Sequence, residues 1–158
     1  MPDAALALTK LIEEFAEADL TIATAESLTG GLLSALLTSV PGASVVVRGG
    51  VVAYSTDLKH ELLGVDLDLL EERGAVDPDV ARAMAAGVRE HLNASVGVAT
   101  TGVAGPEEQD GKPVGTVFVA VATEHSVLVR ELNLEGDREH IRASTVQWAL
   151  LMLAQVLT

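Results

Sequence analysis

The first feature of this chain that could do covalent chemistry is Ser27, in the segment from Ala23 to Gly31. An apolar run precedes it and ends at Glu26, and a second hydroxyl follows at Thr29. Leucines and alanines at helical spacing come directly after the glycines. This order predicts a strand that delivers a serine to a turn at the start of a helix with one buried face.

A serine at a helix start lies near free backbone N–H groups and the positive end of the helix dipole. An anion or a developing oxyanion would be stabilised there, and Gly30 and Gly31 would let the backbone approach a ligand closely. The same residues also fit a plain structural role, in which Ser27 or Thr29 caps the helix and the glycines form a tight turn. The local sequence leaves both interpretations open.

Lys59 is the candidate general base. It follows a β-rich stretch ending at Tyr54 and lies among Leu58, Leu62 and Leu63, where partial burial would lower the pKa of its amine toward neutrality. A surface lysine with a buried stem is the alternative. The Tyr54 phenol could relay a proton or bind substrate, or it could belong to an ordinary half-buried strand tyrosine.

Two arginines, Arg138 and Arg142, are four residues apart in a segment that predicts a helix. They could clamp a phosphate or carboxylate in fork geometry, or they could pair with the carboxylates of Glu135, Asp137 and Glu139. Sequence alone slightly favours surface pairing.

A second glycine-rich turn, T-G-V-A-G-P at residues 101–106, follows an apolar strand predicted over 94–101. In open α/β sheets, ligands bind beyond the carboxyl ends of strands, so two such turns facing one crevice predict a binding site. The polar residues 107–113 predict a mobile loop.

Composition excludes several functions. The absence of cysteine excludes thiolate chemistry and disulfides, and the formal net charge of −13 disfavours nucleic-acid binding. No uncharged apolar run reaches bilayer length, and the acidic, amphipathic beginning of the sequence differs from a signal peptide, so we expect a cytoplasmic protein without membrane contact. The four histidines are scattered and predict no metal site.

Helices and strands alternate along most of the sequence. Helices are predicted over 4–18, 55–63, from Asp77-Pro78 to 92, and from Gly136-Asp137 to about 156. A β-rich segment with a Gly49-Gly50 interruption covers 45–54, and residues 114–122 and 126–134 predict a hairpin. The expected fold is a single three-layer α/β/α domain over residues 1–158, with a mixed, mostly parallel sheet and a late antiparallel hairpin.

Together these segments resemble the C-terminal domain of the CinA family, whose stand-alone members are nicotinamide-nucleotide amidases. The resemblance rests on AESLTGG (25–31), VPGAS (40–44), GGVVAYSTDLKHELLGV (49–65), TGVAGP (101–106), KPVGTV (112–117) and GDREHIR (136–142). Two positions depart from the family pattern: Leu28, where a cysteine is common, and Glu107-Glu108, where Gly-Gly is common. The longer family members carry a further N-terminal domain that these residues do not match, so only amidase chemistry is expected.

The resemblance implies that Ser27 is the nucleophile and Lys59 its base, with Tyr54 as a further catalytic candidate. It implies hydrolysis of nicotinamide mononucleotide to nicotinic acid mononucleotide and ammonia, through an acyl-serine and without metal or organic cofactor. The residues expected to bind this phosphorylated substrate are Glu26, Thr29, Gly30, Gly31, Thr101, Gly102, Gly105 and Arg142, with the backbone of residues 29–31 as oxyanion donors. Arg138 and Lys112 are weaker candidates for the phosphate.

Two other functions stay open. One is a non-catalytic nucleotide-binding or regulatory module linked to competence, and the other is an amidase for a different small amide. The coexistence of Ser27 and Lys59 argues against the module, because a binding module needs the glycine turns but not the pair. The apolar composition, 49% hydrophobic residues, favours a homo-oligomer.

Overall fold

The computed structural model describes residues 2–158, with side chains from residue 4 onward. It has six α-helices in this range: α1 (Pro2–Glu17), α2 (Leu32–Thr38), α3 (Thr56–Leu63), α4 (Leu67–Arg73), α5 (Pro78–His91) and α6 (Arg138–Gln155). The strands are β1 (Ile22–Glu26), β2 (Val47–Val52), β3 (Val96–Gly102), β4 (Thr116–Ala122) and β5 (Val127–Asn133).

The five strands form one mixed sheet in the order β2-β1-β3-β4-β5. Strands β2, β1 and β3 are parallel, while β4 pairs antiparallel with both β3 and β5. Four strands therefore run in one direction, and the β4–β5 hairpin closes the sheet, which confirms the predicted α/β fold. The carboxyl ends of β1, β2 and β3 lie at the same edge.

Two apolar clusters cover the two faces of the sheet. One unites α1, α2 and α6 with residues such as Ile22 and Val98, and the other unites α3, α4 and α5 with residues such as Ala25 and Ala99. The central strands β1, β3 and β4 are buried along their whole length because helices cover both sides. Successive strand residues point to opposite faces, so each central strand contributes to both clusters.

Two predicted helix starts are confirmed by their caps. The Asp77 carboxylate accepts from the N–H groups of Asp79 and Val80 at the start of α5, and Asp137 accepts from His140 at the start of α6. Helix α4 has no counterpart among the predicted elements; it is short and acidic, and Asp66 caps it. The irregularity in β2 comes one residue before the predicted Gly49-Gly50 interruption, because the pairing with β1 skips Arg48.

Candidate active site

Ser27 lies where β1 ends at the edge of the sheet. Its N–H donates to Thr100 O at 3.0 Å, which continues the pairing with β3 by one residue. Because strand residues alternate between faces, Glu26 points toward α2 and Ser27 toward the layer that contains α3. The alternation of side chains along β1 therefore directs the Ser27 side chain toward Lys59.

Lys59 is completely buried, and its amine contacts the serine directly. The Nζ–Oγ distance to Ser27 is 2.9 Å, and Nζ also donates to the backbone carbonyls of Ala53 at 2.7 Å and Tyr54 at 3.4 Å. Burial lowers the pKa of the Lys59 amine to about 8, while the carboxylates of Asp110 and Asp57 act in the opposite direction.

This surrounding suits a neutral amine. The two carbonyls can take the two N–H groups that a neutral amine keeps, and its lone pair then faces the Ser27 hydroxyl. As an ammonium, Lys59 donates its third N–H to the same oxygen. Deprotonation of the Lys59 amine near pH 8 thus converts it from a hydrogen-bond donor to Ser27 into an acceptor for the Ser27 hydroxyl proton.

The helix start predicted at Ser27 lies further along the chain. Helix α2 begins at Leu32, and the carboxylate of Glu26 accepts from the N–H groups of Leu33 and Ser34, at 2.8 and 3.1 Å. The Glu26 side chain is fully buried in this capping role and is not part of the lining of the cleft. The prediction of free helix N–H groups beside Ser27 is wrong, because Glu26 already occupies them.

The turn between β1 and α2 supplies other backbone donors. The Gly30 N–H donates to Ser27 O at 3.0 Å and closes the turn, so it is not free for an oxyanion. Within residues 2–158, the N–H groups of Leu28, Thr29 and Gly31 donate to no protein acceptor. The Thr29 side chain is buried and pairs with the Thr100 hydroxyl at 2.8 Å, which leaves only its backbone for a ligand.

The two arginines of α6 lie on the same side of the helix and hold different turns. Arg142 donates to Leu28 O at 2.9 Å and Thr29 O at 3.2 Å, so it fastens the Ser27 turn. Arg138 donates to Gly105 O at 2.6 Å and to the Tyr54 hydroxyl at 3.1 Å. Arg138 therefore lines the cleft, whereas the Arg142 guanidinium is engaged by backbone carbonyls.

An open cleft of about 450 Å³ lies above these groups. Its lining comes from both glycine-rich turns, the segment from β2 into α3, the polar loop and the start of α6: Ser27, Leu28, Tyr54, Ser55, Thr56, Gly102, Val103, Ala104, Gly105, Glu107, Gln109 and Arg138. Thr101 is buried away from it and donates to Ala75 O at 2.7 Å. Ser55 and Thr56 were missed by sequence reasoning, although hydroxyls directly after a predicted strand at the same sheet edge were a usable signal.

Two classes of feature are lacking among residues 2–158. No cluster of histidine and carboxylate side chains is arranged to hold a metal ion, and no helix combines the length and apolar character needed to cross a bilayer.

Comparison with known proteins places the fold and the motifs in one family. The family model for the CinA C-terminal domain matches residues 5–157. A "CinA-like protein" from Frankia casuarinae is 51% identical over 137 residues, and a "putative competence-damage inducible protein" from Desulforamulus reducens is 51% identical over 136 residues. These matches cover 87% and 86% of this chain but 32% and 33% of the relatives, so the chain spans about a third of their length.

Solved structures agree with the computed one. The competence/damage inducible protein CihA from Agrobacterium tumefaciens superposes with a TM-score of 0.94 at 38% identity, covering 99% of this chain and 96% of that one. A CinA-superfamily protein from Escherichia coli gives 0.91 at 33% identity, covering 95% and 88%.

Proposed function

The chain belongs to the CinA C-terminal domain family, and on that premise we propose that it is an amidohydrolase that converts nicotinamide mononucleotide to nicotinic acid mononucleotide and ammonia. The observation that carries the proposal is the 2.9 Å contact between the buried Lys59 amine and the Ser27 hydroxyl. A module that only binds nucleotides has no use for a buried lysine with a lowered pKa beside a serine.

In the proposed acylation step, Ser27 Oγ attacks the carboxamide carbon while neutral Lys59 accepts the hydroxyl proton. The oxyanion that forms is held by backbone N–H groups of the turn, for which Leu28, Thr29 and Gly31 are the candidates because their N–H groups donate to no acceptor among the described residues. The carbon–nitrogen bond then breaks, and Lys59 returns its proton to the departing ammonia.

Deacylation uses the same pair in reverse roles. Neutral Lys59 takes a proton from water, the hydroxide attacks the acyl carbon, and the ester bond to Ser27 breaks as the proton returns to Oγ. The products are the carboxylic acid and regenerated enzyme. Each step needs only Ser27, Lys59, backbone donors and water.

Arg138 is the proposed partner of the substrate phosphate. Its guanidinium lines the cleft, and two of its five N–H groups are used by Gly105 O and the Tyr54 hydroxyl. The remaining donors can bind an anion at the open side of the cleft. Tyr54 is exposed at the rim, which suits contact with the substrate better than a buried proton relay.

The test is ammonia release from nicotinamide mononucleotide by the purified protein, with a chelator present. We expect release by the wild type and by Ser44→Ala, an exposed serine control, and a loss of at least roughly a thousandfold in Ser27→Ala and Lys59→Ala. Circular dichroism should show all variants folded. Near-full activity in either pair variant would overturn the mechanism, and bound nucleotide without release in the wild type would favour the regulatory module.

A further inference from the structure

The backbone of Ala75, between α4 and α5, is hydrogen-bonded through both its carbonyl and its N–H group. Its carbonyl accepts from the Thr101 hydroxyl at 2.7 Å, and its N–H donates to Asp110 Oδ2 at 3.2 Å. Thr101 lies near the end of β3 and Asp110 in the loop that follows it. Two separate segments beside the cleft therefore converge on one buried residue.

Asp110 occupies the tip of a two-residue hairpin rather than an irregular loop. Gln109 and Lys112 pair across the tip, with N–H to O distances of 3.1 and 2.8 Å. Asp110 and Gly111 have φ values of 51° and 74°, and positive φ at both central residues is what a type I′ turn requires. The loop predicted to be mobile thus contains a defined turn that presents a carboxylate.

The surface that receives this carboxylate is shaped for it. Gly74 has φ 77° and ψ −179°, a conformation that is nearly restricted to glycine. A Cβ at Gly74 would lie 2.7 Å from both Cγ and Oδ2 of Asp110. Any side chain there would displace the Asp110 carboxylate from its present position, so Gly74 and Asp110 form a matched contact.

The docked hairpin is part of the cleft. Gln109, adjacent to Asp110, and Glu107 both line the cleft that contains Ser27. The Asp110 carboxylate also acts electrostatically on Lys59. A displacement of the tip would move one wall of the cleft and remove a negative charge from the surroundings of the base.

We propose, on the basis of the function proposed above, that Asp110 is a positioning residue: it docks the hairpin tip on the Ala75 N–H, which fixes the cleft wall at Glu107 and Gln109. Asp110 touches no reacting atom in this role. Its carboxylate is also one of the two that favour the Lys59 ammonium, so its loss has an electrostatic consequence beside the structural one.

Other charges near Lys59 must be separated from this effect. Asp57, on α3 itself, also favours the ammonium form. From the cleft side, the groups are the Tyr54 phenol, Arg138 and Glu107. Glu108, in the same loop, is exposed and is not among the groups that shift the pKa of Lys59, which makes Glu108→Gln a matched control for loss of one loop charge.

The experiment compares Asp110→Asn, which keeps an acceptor oxygen, with Asp110→Ala, which removes both acceptor and charge. Amide exchange at Ala75 reports docking, and the ¹³Cε shift of Lys59, one of three lysines, reports its protonation. In Asp110→Ala we expect exchange at Ala75 to accelerate at least about tenfold, and KM to rise roughly tenfold. Asp110→Asn should restore the protection of Ala75 and the KM.

The effect of losing the Asp110 charge should appear in both variants. Removing the carboxylate destabilises the Lys59 ammonium, so the titration midpoint of Lys59 and the acid limb of kcat/KM should both move to lower pH in Asp110→Asn, but not in Glu108→Gln. Unchanged Ala75 exchange in Asp110→Ala would overturn the docking, and an unchanged Lys59 midpoint in Asp110→Asn would overturn the charge effect. If the wild type released no ammonia, the proposed function would fail, but exchange and titration would still decide the role of Asp110.

Discussion

The two glycine-rich turns follow neighbouring parallel strands and open into the same cleft, yet they differ in what they carry. The turn after β1 presents the Ser27 hydroxyl and unpaired backbone N–H groups next to a buried amine. The turn after β3 lines the cleft with backbone and small apolar residues, and its own hydroxyl, Thr101, is spent on Ala75. One turn supplies reactive groups, and the other supplies shape.

The same helix ties both turns down. Arg142 donates to carbonyls of the first turn and Arg138 to the Gly105 carbonyl of the second, one helical turn apart on α6. The two turns at this edge of the sheet thus contribute different groups to the cleft, but both are hydrogen-bonded to α6. Glycine-rich sequence at a strand end therefore predicts a place for a ligand, whereas the chemistry at that place depends on the side chains that helices distant in sequence bring to it.

The largest effect should come from the cost of burying Lys59 beside the first turn. The pKa of its amine falls from 10.5 to about 8, so between these pH values the unfolded chain binds more protons than the folded one. The free energy of unfolding therefore rises with pH across this window, by about 2 to 3 kcal/mol between pH 7 and pH 10. Urea denaturation of the wild type and Lys59→Met at both values should show this rise in the wild type alone.

Lys10→Met is the matched control, because Lys10 is exposed on α1 and forms a 3.7 Å ion pair with the partly exposed Glu14. Its pH dependence should follow that of the wild type. If the free energy of unfolding changed with pH in the same way in the wild type and Lys59→Met, burial would not lower the pKa of Lys59. The two turns would then not differ in their electrostatic surroundings.

Structural features that depend on residues close in the sequence, such as helix caps, could be predicted from the sequence. Asp77 and Asp137 were identified as helix starts because a cap acts on N–H groups two or three residues away. The capping role of Glu26 was not predicted, because its carboxylate accepts from N–H groups seven and eight residues further along the chain, across a turn. The contact of Lys59 with Ser27 spans 32 residues, and without the family resemblance the local sequence could only suggest it.

The roles of the two arginines could not be separated from sequence for a similar reason. Both are on one side of α6, and their positions differ by one helical turn along its axis. Which carbonyl each reaches depends on how α6 packs on the sheet, and no local pattern encodes that. The sequence made Arg142 the stronger candidate for the substrate phosphate, whereas the packing brings Arg138 into the lining of the cleft.

The second prediction tests whether the turn after β3 depends on close packing. A Cβ at Gly102 would lie 2.8 Å from Thr116 O and 2.6 Å from Val117 Cγ2, so Gly102→Ala should lower the free energy of unfolding by about 2 kcal/mol. In Gly49→Ala the nearest atom, Leu92 Cδ1, lies at an ordinary 3.5 Å, and the change should stay within about 0.5 kcal/mol. Thermal or urea unfolding measures both, and equal losses would contradict a special constraint at Gly102.

The smallest effects should come from the two arginines of α6 that hold the two turns. Arg142→Met releases the carbonyls of Leu28 and Thr29, which loosens the nucleophile's turn, so kcat should fall roughly tenfold with little change in KM. Arg138→Met removes a cation from the cleft, so KM for nicotinamide mononucleotide should rise roughly tenfold with little change in kcat.

Nicotinamide riboside, which lacks the phosphate, sharpens this last test. The KM increase in Arg138→Met should disappear with the riboside, since no anion remains to be bound, whereas the kcat loss in Arg142→Met should persist with both substrates. If both variants raised KM for the nucleotide and neither affected the riboside, both arginines would act on the phosphate. Arg142 would then have to leave the carbonyls of the first turn when substrate binds, and the division between a reactive turn and a shaping turn would not describe the bound state.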